Sequence, residues 1–148
     1  MVVTIKESDG PITKILKQKF NECGGKTYIP MLKGEDKLFW ATEEGLYNNG
    51  FKGYLCRWED FDLITKKLEE LGGKMYRGDS AAQRGYHLGS KELPLDTMDG
   101  FIALNIHRDT IGRPITRRST YYAVVLDWAG IVKNRRGTNG RGGYICFC

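Results

Sequence analysis

No stretch of this sequence approaches the ~20 consecutive apolar residues that a bilayer-spanning helix needs, so no membrane association is expected. The apolar start Met1-Val2-Val3-Thr4-Ile5 is too short, and too soon followed by charge, to read as a signal peptide. Cysteine is scarce as well: four residues are too few for a disulfide framework in a chain of 148, and no pair has Cys-x-x-Cys spacing. Cys146-Phe147-Cys148 is spaced wrongly for a zinc knuckle, and only His87 and His107 could add imidazole ligands, so neither a structural metal nor a cofactor is expected. These absences favour reduced thiols and a cytoplasmic location. Proline is rare too: four prolines against 19 glycines leave the chain rich in turns and loops and poor in rigid kinks. No segment is biased enough to be a disordered tail, and 41% hydrophobic content suits a folded domain. The length allows one core, and residues 1–148 are read as a single domain.

Acidic residues are nearly absent from the last third. From His107 onward only Asp109 and Asp127 oppose eight cations: Arg108, Arg113, Arg117, Arg118, Lys133, Arg135, Arg136 and Arg141. That segment is +6 where the whole chain is +5, so the basic excess is regional. Seven of the eight are arginine, whose planar fork grips phosphate or carboxylate with two parallel bonds and stacks on bases, whereas lysine is a point charge. A solvated face that keeps a small protein soluble is the plain alternative.

The same region holds the longest apolar run, Tyr121 to Val132. Rich in β-branched and aromatic residues, it is predicted to be a strand that returns as Tyr144 to Phe147 after an arginine–glycine segment. The expected result is a basic C-terminal hairpin over 117–148. In such a strand Tyr122 and Trp128 share the core face, Asp127 points outward to an ion pair with Arg117 or Lys133, and Tyr121 and Tyr144 are left for stacking. Pairing of the strand edge with a second copy makes a homodimer a candidate.

Earlier in the chain, Val2 to Glu7 reads as a strand, Ser8 or Asp9 as a cap and Pro11 as a first-turn residue. Ile12, Ile15, Leu16, Phe20 and Cys23 make one helical face, with Lys14, Lys17, Gln18 and Lys19 outward. Gly24-Gly25 stops the helix and a strand resumes at Lys26. The order repeats: strand Phe51 to Trp58, cap Asp60, helical Phe61, Ile64, Leu68 and Leu71, then Gly72-Gly73-Lys74-Met75-Tyr76. A shift of 48 residues superposes the two Gly-Gly-Lys segments, which reads as an internal duplication of 2–30 and 51–77; a common helix stop is the alternative. Between them Lys37 to Trp40 and Leu46-Tyr47 are expected to pair as short strands. Arg77 to Gly85 reads as an exposed loop, and 96–106 fits either a short helix capped by Asp96 or a strand after Gly100. The fold class is therefore α+β: two β-α-β-like units with their helices on one face of a mixed sheet, plus the hairpin.

Binding of a polyanion, foremost nucleic acid, is the leading functional expectation, through Arg113, Arg117, Arg118, Arg135, Arg136 and Arg141, helped by Arg77 and Arg84 and by the rings of Tyr121 and Tyr144. A phosphorylated, nucleotide-sized ligand held between the Arg77–Gly85 loop and the hairpin is the second. Catalysis is not favoured. Its weak candidates are Glu35 and Lys37, with the carboxylate-x-lysine spacing of Mg²⁺-dependent nucleases, and His107 with Asp109 as a base and its orienting carboxylate. Docking on an acidic protein or a ribonucleoprotein, as an inhibitor would, is a further option for an arginine-rich surface. Arg77-Gly78-Asp79 matches the tripeptide that integrins read, but nothing in the sequence points to secretion.

Overall fold

Helix α1, Pro11–Glu22, begins at the expected proline but is capped from elsewhere. In the computed structural model, which describes residues 2–137 and 142–148, Asp62 accepts hydrogen bonds from Ile12 N (2.9 Å), Thr13 N (3.1 Å) and Thr13 Oγ1 (2.5 Å). Gly10 stands at the N-cap, where an added Cβ would overlap the Asp62 carboxylate. The expected cap Asp9 instead accepts from Lys6 N and pairs with Lys17 Nζ at 2.8 Å. Lys17, expected outward, is buried: its stem lies on the same face as Thr13, Leu16 and Phe20, and its ammonium is satisfied by Asp9 and the Thr4 carbonyl. Cys23, expected on the core face, is exposed. Val2 to Glu7 is not a strand, because its partner is a side chain: Val3 N donates to Asn21 Oδ1 and Val3 O accepts from Asn21 Nδ2.

Strands β1 (Lys26–Ile29), β2 (Lys37–Ala41), β3 (Gly45–Asn48) and β4 (Cys56–Arg57) follow as an antiparallel sheet in sequence order. The expected pairing of Lys37 to Trp40 with Leu46-Tyr47 is present, in the register Trp40↔Tyr47. The expected strand from Phe51 shrinks to two residues because Phe51 to Tyr54 close a turn, with Tyr54 N donating to Phe51 O and Gly53 at φ 79°. Helix α2, Trp58–Glu70, therefore starts before Asp60, which sits in its first turn and accepts from Arg57 N at 3.2 Å.

Both helices end in the same six-residue turn. Gly24 N and Gly25 N donate to Asn21 O and Phe20 O; Gly72 N and Gly73 N donate to Glu69 O and Leu68 O. All four glycines have positive φ, between 71° and 95°. The two segments then part. β1 enters the first sheet, while β5 (Lys74–Tyr76) enters a second, of order β5-β7-β6 with β6 Val132–Arg135 and β7 Tyr144–Phe147. In place of one mixed sheet there are two antiparallel sheets.

Past β5 come a short α3 (Asp79–Gln83), a loop bridged between His87 and Pro114, and α4 (Met98–Phe101), which widens into a π turn at Ile102–Ile106. Thr97, not Asp96, caps α4 by accepting from Gly100 N. The predicted strand from Tyr121 is instead helix α5, Ser119–Trp128. Tyr122, Ala123, Val124, Val125 and Leu126 are all buried. A segment that is apolar all round satisfies the helical and the strand period alike, so periodicity does not separate them. Asp99 decides it, accepting from Arg118 N (2.7 Å), Ser119 N (2.9 Å) and Ser119 Oγ (2.6 Å) to cap α5. Gly130, at φ 76°, then turns the chain into β6. The hairpin exists, but as Val132–Arg135 with Tyr144–Phe147. β7 lies between β5 and β6, so Tyr144–Phe147 is the centre of its sheet and β6 is the hairpin strand at the sheet's edge among the described residues. Among the described residues no helix is long and apolar enough to cross a membrane.

Candidate functional site

A cleft of about 690 Å³ opens beside the hairpin. Four elements wall it: the β1–β2 loop with Met31, Leu32 and Lys33; α3 with Asp79, Ser80 and Gln83; the start of α5 with Thr120, Tyr121 and Val124; and the hairpin stem with Asn134, Arg136, Gly142 and Gly143. Lys33, Lys37, Arg77, Arg117 and Arg136 are among its lining residues, and Asp79 is the one carboxylate among those described. The Arg77–Gly85 segment and the hairpin thus converge on one hollow.

Arg77 holds this geometry. It is 7% exposed, donates from Nε to Asp79 (3.1 Å) and from Nη1 to Asn134 Oδ1 (2.5 Å) and Arg135 O (2.8 Å), and its backbone N–H donates to Gly143 O. The guanidinium packs against Gly143, where a Cβ would overlap it. Arg77 therefore ties β5, α3 and both hairpin strands together, and most of its donors are spent inside the protein. The other four cations keep their charge for the cleft. Arg117 donates to the neutral Gln83 Oε1 (3.0 Å), Arg136 Nη2 to Leu32 O, and among the described residues Lys33, Lys37, Arg117 and Arg136 have no carboxylate partner. Thr120 Oγ1 in the wall has no hydrogen-bond partner among them either. Tyr121 supplies an aromatic side, its ring 5.8 Å from that of Phe51.

The remaining sequence candidates lie elsewhere. Arg118 pairs with Asp109 (3.0 Å) beside His107. Arg113 is exposed next to the smaller core cluster of Ala82, Leu88, Leu93, Ala103 and Ile115. Arg84 lies beyond α3 in a second hollow, Arg135 and Tyr144 project from the outer face of the hairpin, and Arg141 falls outside the described residues. Glu35 is exposed in the β1–β2 loop and does not line the cleft, although Lys37 does. Asp127 makes neither expected ion pair; it accepts from Asn134 N at 2.9 Å, because helix α5 places it at the entry to β6. Among the described residues no three His, Cys, Asp or Glu cluster as metal ligands do.

His107 and Asp109 do not form the expected pair. His107 Nε2 lies 2.7 Å from Tyr54 OH, which is 2.8 Å from Tyr122 OH, which donates to Asp60 Oδ2 at 2.7 Å. A chain of hydrogen bonds thus runs from an exposed imidazole to a buried carboxylate. Burial raises the pKa of Asp60, while burial and the Arg118 charge lower that of His107. Sequence reasoning missed this chain because its members stand at positions 54, 60, 107 and 122, with no local spacing to reveal them. Arg108 beside it has a positive φ of 56°, which is uncommon for a residue with a Cβ.

Comparison of the chain with known protein families, curated proteins and solved structures finds no match.

Proposed function

We propose that this protein binds nucleic acid, with the phosphate backbone held in the cleft by Lys33, Lys37, Arg117 and Arg136. The observation that carries this reading is the unbalanced charge of the cleft: among the described residues, cations on three of its walls and a single carboxylate, Asp79, already engaged by Arg77. Four cations spread over separate elements suit a chain of phosphates, each neutralised in passing, with release of counterions as the driving force. The cleft is shallow enough in chemistry to be sequence-tolerant, because such contacts set affinity and leave base identity unread.

The direct test is a fluorescence-anisotropy titration of labelled DNA and RNA at two salt concentrations, with gel analysis of the products in the presence of Mg²⁺. Binding that weakens steeply with salt is expected, and the double variant Lys37→Ala/Arg117→Ala should lower the salt slope by about 0.7 to 0.9 for each phosphate contact removed. An unchanged slope and affinity in a folded double variant would defeat the assignment. Cleavage of the nucleic acid in Mg²⁺ would turn the reading toward a nuclease.

One observation favours a second reading. The cleft is concave and its volume of about 690 Å³ falls in the range of roughly 300 to 1,000 Å³ usual for small-ligand sites. A phosphorylated small ligand would then stabilise the fold in a saturable way, read as a rise in Tm with nucleotide concentration.

A further inference from the structure

The outer face of the second sheet was not assembled by any local pattern in the sequence. In β6 the burial alternates, with Val132 and Asn134 inside and Lys133 and Arg135 exposed. The register across the sheet sets Arg135 opposite Tyr144 and Tyr144 opposite Tyr76; the next row sets Lys133 opposite Cys146 and Cys146 opposite Lys74. Since side chains on paired positions share a face, these six residues form one surface: three cations, two phenol rings and a thiol, with no carboxylate among them. The rings meet edge to face at 6.1 Å and 70°. Lys74 Nζ sits 4.4 Å from the Tyr144 ring centroid and 5.2 Å from that of Tyr76, so cation–π attraction steadies both rings. Tyr76 is also on the rim of a hollow of about 350 Å³ whose walls include Arg84, Tyr86 and Glu92.

From this arrangement we infer that the outer sheet face is a stacking platform for single-stranded nucleic acid. The inference rests on the nucleic-acid reading of the cleft and names the form of nucleic acid. Rings set among cations on an open sheet serve a polymer whose base faces are available, because the rings stack on bases while Lys133, Arg135 and Lys74 neutralise the adjoining phosphates. A duplex buries its base faces in its own stack and gives Tyr76 and Tyr144 nothing to cover. Nor does α5, the helix next to the basic hairpin, offer a duplex a reading face, since it is buried along most of its length. Arg135 on the platform and Arg136 in the cleft are consecutive, so one single strand can engage both surfaces.

The experiment uses the full chain and labelled oligothymidylate of about 16 nucleotides, the upper end of the span of comparable single-strand modules, alongside a duplex of equal length. Wild-type protein is expected to prefer the single strand. Tyr76→Leu and Tyr144→Leu should each raise its Kd about 5- to 150-fold, the loss of one stacked base, without changing the salt slope. Tyr76→Phe and Tyr144→Phe keep a stacking face and should bind as wild type, which separates lost stacking from damage to the fold. Leucine variants that keep wild-type affinity, while Lys37→Ala/Arg117→Ala weakens binding, would overturn the platform and leave the cleft standing. Equal affinity for duplex and single strand would overturn the single-strand assignment. Absence of binding to either would remove both readings together.

Discussion

Asp99 bears the N-terminus of α5, and its ionisation is the first residue-scale quantity to measure. Buried to 1% exposure, its carboxyl is pushed up to about 6 by desolvation, against the pull of Ser119 and two backbone donors. A carboxyl whose folded-state pKa is raised binds protons more tightly folded than unfolded, so its contribution to stability is full below the ordinary value near 3.8 and is lost as pH rises through about 6. Asp99→Asn should abolish that part of the pH dependence between these values, read by urea unfolding at a series of pH. Asp99→Ala should cost about 1 to 3 kcal/mol by stranding the donors of Arg118 and Ser119. His107 works in the opposite sense. Its lowered pKa means that stability is present above the ordinary 6.5 and falls as pH drops through the folded value. NMR titration should place His107 below 6.5. Neither residue announces its partners in sequence, because the contacts run 20 and 53 positions along the chain.

Glycine governs the elements, for two different reasons that substitution can separate. Gly130 has φ 76° and open space where a Cβ would go, so Gly130→Ala costs only backbone strain, about 1 kcal/mol. At Gly143 the limit is space, since a Cβ would overlap the Arg77 guanidinium. Gly143→Ala should destabilise by about 1 to 3 kcal/mol through overpacking and, by displacing Arg77, weaken anion binding as well. Parallel thermal melts and anisotropy titrations distinguish the two, with Gly130→Ala leaving affinity unchanged. Much at this scale is legible from sequence. The glycine pairs at 24–25 and 72–73, the apolar face of α2 and the pairing of β2 with β3 follow from local pattern, whereas on α1 Leu16 and Phe20 are buried as expected but Ile15 and Cys23 are exposed and Lys17 takes an inward place. Tyr121 to Trp128 is not legible in that way. Its residues favour a strand by composition, yet its cap comes from Asp99, and the run is long enough for a buried helix.

In the whole molecule Arg77 is the join between the second sheet, α3 and the cleft. Arg77→Ala should lower stability by about 2 to 4 kcal/mol, because Asn134 Oδ1, the Arg135 carbonyl and Asp79 lose a shared donor away from water. Arg77→Lys should rescue this only in part, since one ammonium cannot span three acceptors that a planar fork reaches together. Thermal unfolding of the two variants checks the order. By itself the sequence determined the α+β class, the basic excess of the last third and the stops of α1 and α2, because composition, charge and glycine placement act through neighbours in the chain. Tertiary structure alone decided that there are two antiparallel sheets, that Arg117 and Arg136 share a cleft with Lys33 and Lys37, and that Arg118 and Arg135 do not. The reason is physical: a charge is useful or spent according to what faces it, and what faces Arg77 or Arg118 comes from strands and loops that only folding brings near.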